Sequence, residues 1–333
     1  MAELTTKYMG IMLRNPIIIG SSGLTKSIVG LKELENAGAG AVVLKSLFEE
    51  QIVIDTNSNL KSAIENNLLY TRYSDTFDYL DLYSRENILS DYLKFIRDAK
   101  KELVIPVIAS INCFTPGEWF FFAKKIEEAG ADAIELNLSV LSTNIDEEST
   151  VAEQLMLDIA KKVSATVKIP VSMKINPFFT NVAQLIKKLS LTGLKGLVLF
   201  NRTFNPDINL DNLEVIPANF FSAPSDMNYA LRWIAIMSDK TKCDLVASSG
   251  IHNGDTIIKQ LLVGAKAVQI TSVIYKSGAG YITQMLNDIE KWMDQKKYNY
   301  MDQFIGKVNQ YKSKDPGQYE RIQFLRHHLE YTD

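Results

Sequence analysis

Residues 126–138 read IEEAGADAIELNL, and the order of residue types in that stretch decides the architecture. A charged segment with helical spacing stops at Gly130, a short link follows, and Ala133, Ile134 and Leu136 open an apolar run. Glycine just past a helix supplies the left-handed backbone that closes it. A short apolar run bounded by turn signals fits a strand buried on both faces. The same phrase returns as LENAGAGAVVLKS at 34–46, LSLTGLKGLVLFN at 189–201 and LLVGAKAVQITS at 261–272. Between these lie PIIIGSS at 16–22, PVIASIN at 106–112, PVSMKIN at 170–176 and DLVASSG at 244–250. Three of those four open on proline, which suits the first residue of a strand.

The sum is eight strands, most of them separated by amphipathic segments such as GEWFFFAKKIEEAG and NVAQLIKKLSLTG. Eight strands alternating with helices predict an α/β fold, the (β/α)8 TIM barrel. An open doubly wound sheet is the competing arrangement. It is disfavoured by the count of eight and by the lack of a dinucleotide glycine fingerprint after the first strand. The expected organisation is one barrel over residues 1–310, with insertions at about 47–90 and 202–227, and a helical extension at 311–333. Both insertions leave the C-terminal ends of strands, the face where barrel enzymes keep their sites. Loops of that length inside a compact fold suit a lid or a substrate wall.

Composition narrows the function class. The 333 residues are 46% hydrophobic and 23% charged, with a net charge of −3, so no broad basic field exists for a nucleic-acid backbone. No apolar run approaches the ~18 residues of a membrane span. The N-terminal MAELTTKYMG lacks a signal peptide's basic-then-apolar build, so a cytoplasmic protein is expected. Two cysteines and three histidines, with no metal-ligand spacing, give no reason to expect a metal.

The strand ends carry the chemistry. They supply Ser21 and Ser22, Lys45, Asn112, Asn137, Lys174, Asn201, Ser249 and Gly250, and Thr271 and Ser272. A lysine in a strand otherwise built from Val, Met and Ile is costly to bury unless something anionic or polar receives it. VLKS and SMKIN each carry that cost, and two such lysines converging with three asparagines call for a ligand. Asparagine donates and accepts through one planar amide, which suits a flat heterocycle edged with carbonyls and N–H groups. The last two strand ends are rich in Ser, Thr and Gly, and barrels hold phosphate after strands seven and eight. A flat polar heterocycle with a phosphate tail describes FMN. The lysines would then face the negative charge that a flavin acquires near N1 and O2 on reduction.

At this point the chain resembles the class 1 dihydroorotate dehydrogenases, FMN-dependent barrels of pyrimidine biosynthesis. The likeness runs from Asn15 to about Val308 and rests on NPIIIGSSG, VLKS, ELNLS, SMKIN and, most specifically, SSGIHNGDTIIKQLLVGAKAVQITSVIY. It implies an oxidoreductase that passes hydride from a small carbonyl-bearing substrate to flavin N5. It also assigns FMN to the eleven strand-end residues named above. Asn137, Asn201 and Ser142 are the expected substrate contacts.

The family places its base, a cysteine or serine, in a segment close to Asn-x-Ser-Cys-Pro-Asn. Here that segment reads NLSVLSTN, so Val140 stands at the base position, Leu141 replaces the proline and Ser142 the closing asparagine. Valine accepts no proton, and a general base is worth roughly 10²–10⁴-fold. Ser139 and Cys113 are the remaining candidates for that role. Two further departures touch substrate recognition. TNSNLKSAIENNLL stands where the family carries an Asn-Ser-x-Gly-Leu-x-Asn type segment, and FSAPSDMNYALRW lacks the usual glycine pair. Weak or absent dihydroorotate oxidation is therefore the leading expectation. A competent dihydroorotate dehydrogenase with another base, and a non-redox FMN- or phosphate-binding barrel serving as a partner subunit, are the alternatives. No iron–sulfur cysteine cluster is present to carry electrons onward. A homodimer is one expected assembly, with the aromatic FDYLDLY at 77–83 available for a subunit contact.

Overall fold

A computed structural model describes residues 2–48, 89–112, 118–138, 145–202, 205–218 and 220–320. Eight parallel strands form a closed barrel: β1 (Ile17–Ile19), β2 (Ala41–Val43), β3 (Val107–Asn112), β4 (Ala133–Asn137), β5 (Val171–Ile175), β6 (Gly196–Leu199), β7 (Asp244–Ser248) and β8 (Ala267–Ile270). Each pairs with its sequence neighbour, β8 pairs with β1, and Val42 pairs with Val107 across β2 and β3. All eight predicted strands are present, and each lies inside the apolar run that predicted it.

The helices between them are α1 (Ile28–Asn36), α2 (residues 89–102), α3 (Glu118–Glu128), α4 (Ser149–Thr166), α5 (Val182–Leu189), α6 (Met227–Met237), α7 (Gly254–Leu262), α8 (Ser272–Ser277) and α9 (Tyr281–Lys296). Their starts follow sequence signals. Asn181 and Asn253 each accept an N–H of the first helical turn through the side chain, Asn181 from Gln184 at 3.0 Å and Asn253 from Thr256 at 2.9 Å. None of the described helices is long and apolar enough to cross a membrane.

Period-2 alternation divides the core. Ile17 and Ile19 pack outward under the helices, while Ile18 joins Val43, Ile108, Ala133, Val198, Val246 and Ala267 inside the barrel. The N-terminal hairpin Thr6–Tyr8 with Ile11–Leu13 seals the lower end. Met9 N–H donates to Asp244 Oδ2 at 2.8 Å, and Tyr8 enters where Gly196 has no side chain. A Cβ on Gly196 would lie 2.5 Å from the Tyr8 hydroxyl. With one end plugged and the middle packed, the described part of the barrel leaves its C-terminal mouth open to a ligand.

The second insertion holds an antiparallel hairpin, Pro206–Asn209 with Glu214–Pro217, and a short 3-10 turn at Pro224–Asp226. Residues 49–88 of the first insertion, including the aromatic segment at 77–83, lie outside the described residues. The C-terminal extension is described to Glu320 and contains a 3-10 turn at Pro316–Tyr319.

Loops entering the strands are fixed by carboxylates. Glu127 Oε1 accepts the backbone N–H groups of Lys168 and Ile169 just before β5, while its Oε2 meets Lys124 at 2.7 Å. The Lys124 bond, reinforced by the two backbone N–H groups, holds this carboxyl below the usual range. Glu127→Ala is expected to lower the unfolding free energy by about 1–2 kcal/mol in chemical denaturation at neutral pH. A depressed folded pKa stabilises above the unfolded carboxyl value, and that stability is lost as pH falls through the folded one. The gap between variant and parent should therefore close in acid. Equal denaturation midpoints at neutral pH would contradict this account.

Candidate active site

A cavity of about 530 Å³ opens at the C-terminal ends of the strands, a size suited to a cofactor or small-molecule site. The eleven residues expected at a cofactor all line it: Ser21, Ser22, Lys45, Asn112, Asn137, Lys174, Asn201, Ser249, Gly250, Thr271 and Ser272. Asn137 and Asn201, also expected at a substrate, are joined directly, with Asn201 Nδ2 donating to Asn137 Oδ1 at 2.9 Å. That bond leaves the Asn137 amide NH2 and the Asn201 carbonyl to face a ligand. Cys113, Ser139, Val140 and Ser142 lie outside the described residues, on segments that leave the C-terminal ends of β3 and β4.

One side of the cavity is a ladder of hydroxyls. Ser21 Oγ and Ser46 Oγ are 3.0 Å apart, and Ser46 Oγ and Ser110 Oγ are 2.7 Å apart. Behind them the buried Tyr92 hydroxyl donates to Ser110 O and accepts its N–H, each at 3.0 Å. Lys45 lines the cavity beside this ladder, but it follows β2 instead of lying within it and is exposed, so the burial cost expected of both lysines falls on Lys174 alone.

Lys174 comes from β5, directly across the strand pair from Asn137. Its ammonium donates to Gln269 Oε1 at 3.0 Å, and Gln269 Nε2 donates to Glu135 Oε2. Burial pulls the Lys174 pKa below the ordinary lysine value, and the charge of Glu135 opposes that shift. For Glu135 burial pushes the carboxyl up, opposed by Lys174 and by the Gln269 bond. Both directions state one cost, a charge removed from water.

On the far side, the chain turns sharply after β7. Ser249 has φ +75° and Gly250 φ +72°, both in the left-handed region. The backbone N–H groups of these two residues have no hydrogen-bond partner among the described residues, although Gly250 is buried. Such N–H groups are the usual equipment of a phosphate cradle. Ser272 Oγ receives the Ser222 N–H at 3.0 Å, which ties the second insertion to the start of α8.

Several lining residues escape the sequence reading. Gln269 is one. Arg202, whose guanidinium donates to Phe220 O at 2.7 Å, and the aromatic wall of Phe220, Phe221 and Tyr275 are others. The Phe221 and Tyr275 rings lie 5.6 Å apart. Lys45, Lys174 and Arg202 make the cavity cationic, and no carboxylate is found among its described lining residues. The half-buried Cys243 precedes β7, at the opposite end of the barrel, and burial pushes its thiol up to about 12.

The model of the family described as dihydroorotate dehydrogenase matches residues 85–293. The chain belongs to the dihydroorotate dehydrogenase family. Members of this family are FMN flavoproteins. A protein of Thermoplasma volcanium named dihydroorotate dehydrogenase B (NAD(+)), catalytic subunit, is 26% identical over 319 residues, covering 92% of this chain and 98% of the relative. Proteins with the same name from Methanocaldococcus jannaschii and Pyrococcus abyssi are each 25% identical; they cover 92% and 91% of this chain, and each aligns over 98% of its own length.

The turn after β7 is the part of the cavity least tolerant of change. A Cβ on Gly250 would lie 2.1 Å from the backbone nitrogen of Met227, at the start of α6. Gly250→Ala therefore combines a steric clash with an unfavourable φ. It should cost at least about 1 kcal/mol in thermal or chemical denaturation. A fully stable Gly250→Ala protein with unchanged ligand binding would show that the turn is not fixed as described.

Proposed function

We propose that this chain is an FMN-dependent oxidoreductase of the dihydroorotate dehydrogenase type in which dihydroorotate itself is a poor substrate. The observation that carries the reading is the cationic cavity at the barrel mouth, with no carboxylate among its described lining residues and with two asparagines already aligned at its edge. This donor set fits FMN. The N–H groups of Ser249 and Gly250, which have no partner among the described residues, would hold the phosphate together with Thr271 and Ser272. Asn112, Asn137 and Asn201 would meet the polar edge of the ring system, and Ser21 and Ser22 would close the hydroxyl side.

Bound there, FMN supplies a hydride acceptor. The residues of the chain do the rest. Lys45 and Lys174 would bring positive charge to the ring edge, and the charge of the more buried Lys174 counts for more there than in solution, whereas Lys45 is exposed. The Asn137–Asn201 pair presents one donor and one acceptor to a planar carbonyl-bearing substrate. What the chain lacks at the familiar position is a proton acceptor, because Val140 stands there. Ser139 and Cys113 are the nearest residues in sequence that have proton chemistry.

The test is spectroscopic. The purified protein should be yellow, or become so with added FMN. Anaerobic dihydroorotate should then bleach it slowly, by roughly 10²–10⁴-fold relative to an enzyme with a placed base. Val140→Cys should raise that rate by roughly 10²-fold or more. Fast bleaching by the unaltered protein, abolished by Cys113→Ala or Ser139→Ala, would instead identify the working base. A colourless protein that FMN cannot reconstitute would overturn the flavin reading and favour a phosphate-binding partner subunit.

A further inference from the structure

Glu135 is the most costly residue inside the barrel, and neither the fold nor the cavity lining requires it. It sits on β4, opposite Ser172 on β5, and is 1% exposed. Other residues at comparable inward positions are Ala133, Ile108 and Val246. A carboxylate here gives up its hydration, and an apolar residue of similar volume would fill the space at lower cost. Its Oε1 has no hydrogen-bond partner among the described residues. Its Oε2 accepts from Gln269, whose own carbonyl accepts from Lys174.

The order of that chain matters. Gln269 can satisfy both neighbours in one orientation only, carbonyl toward the ammonium and NH2 toward the carboxylate. Glu135 therefore fixes the amide, and the amide fixes the ammonium. Among the described residues Lys174 forms no direct salt bridge. The interposed amide keeps the two charges coupled without contact, and the remaining ammonium N–H groups stay available to the cavity that Lys174 and Gln269 both line. A contact ion pair would have consumed the cation instead.

We propose that Glu135 is a positioning residue: acting through Gln269, it holds the Lys174 ammonium at the cavity floor and sets the reduction potential of the bound flavin. The proposal rests on the FMN reading above. Burial and the opposed charges of Glu135 and Lys174 support it, since each group's ionised form is favoured by the other. A negative charge fixed behind the cation offsets part of its pull on electrons entering the ring. Removing that charge while keeping the shape raises the net charge beside the cofactor by one.

The experiment is a spectroelectrochemical titration of the FMN-loaded protein and its Glu135→Gln variant. The variant should retain FMN and take up electrons at a more positive midpoint potential. Glu135→Asp, which keeps the charge, should stay nearer the parent. An FMN-loaded Glu135→Gln protein with an unchanged or lower potential would overturn the proposal. Should that variant fail to fold, the unmodified holoprotein still decides the matter. Its redox-difference infrared spectrum should contain a carboxyl band that moves on labelling glutamate with ¹³C, and absence of such a band overturns the proposal as well. A parent protein that binds no FMN would defeat the flavin reading itself, which is a separate and visible outcome.

Discussion

The site depends on keeping the Lys174 ammonium out of bulk water without neutralising it. A lone ammonium moved into the interior would give up its proton rather than carry the desolvation cost. Here the cost is shared along a line of three side chains on three strands, β5, β8 and β4. Because β4 and β5 are neighbours but β8 pairs with neither of them, the arrangement exists only when the barrel is closed. Closure of the fold and assembly of the charged cavity floor are thus the same event, and the electrostatics of the mouth inherit the rigidity of the sheet.

The lower half of the barrel makes that floor possible. Tyr8 and Leu13 of the N-terminal hairpin fill the far end, next to small residues such as Gly196, Ala41 and Ala267. Among the described residues this packing buries the lower layer of the barrel. What reaches Lys174 must come through the mouth, past Lys45 on one side and the turn at Ser249 and Gly250 on the other. Among the described lining residues a ligand admitted there meets cations and amides, and Gln269 stands between Glu135 and the Lys174 ammonium.

Much of this is legible in the sequence, and the exceptions have a physical cause. The repeated helix–glycine–strand phrase defines the barrel because both periodicities and the stop signals are local. The lysine in SMKIN stands out because a cation among apolar residues has no cheap explanation. The same cost applies to Glu135 in AIELN and Gln269 in AVQIT, which the sequence reading leaves without a role. Their meaning is that they meet each other, 134 residues apart, and strand-by-strand reading does not reveal which polar residues share an interior layer. Arg202 and the Phe220–Phe221 wall were harder still. They belong to an insertion whose path over the mouth is set by tertiary contacts, such as Ser222 N–H to Ser272 Oγ, and not by periodicity.

The division of labour around the mouth explains how one part of such a site can change while another persists. The residues proposed to hold the cofactor stand at the ends of barrel strands or in the turns directly after them, and many make interactions that the barrel itself needs. Ser46 ties Ser21 to Ser110, Ser249 Oγ donates to Phe200 O, and Gly250 gives α6 room to start. Substituting them costs stability as well as binding. Val140 follows β4 in the sequence and is not itself one of those strand-end residues. In the reading proposed above, a valine at this position removes a proton acceptor and leaves the strand-end residues proposed to hold the flavin unchanged. Under the function proposed above, a substrate whose oxidation needs no base at that position would be compatible with the cations and amides that line the cavity.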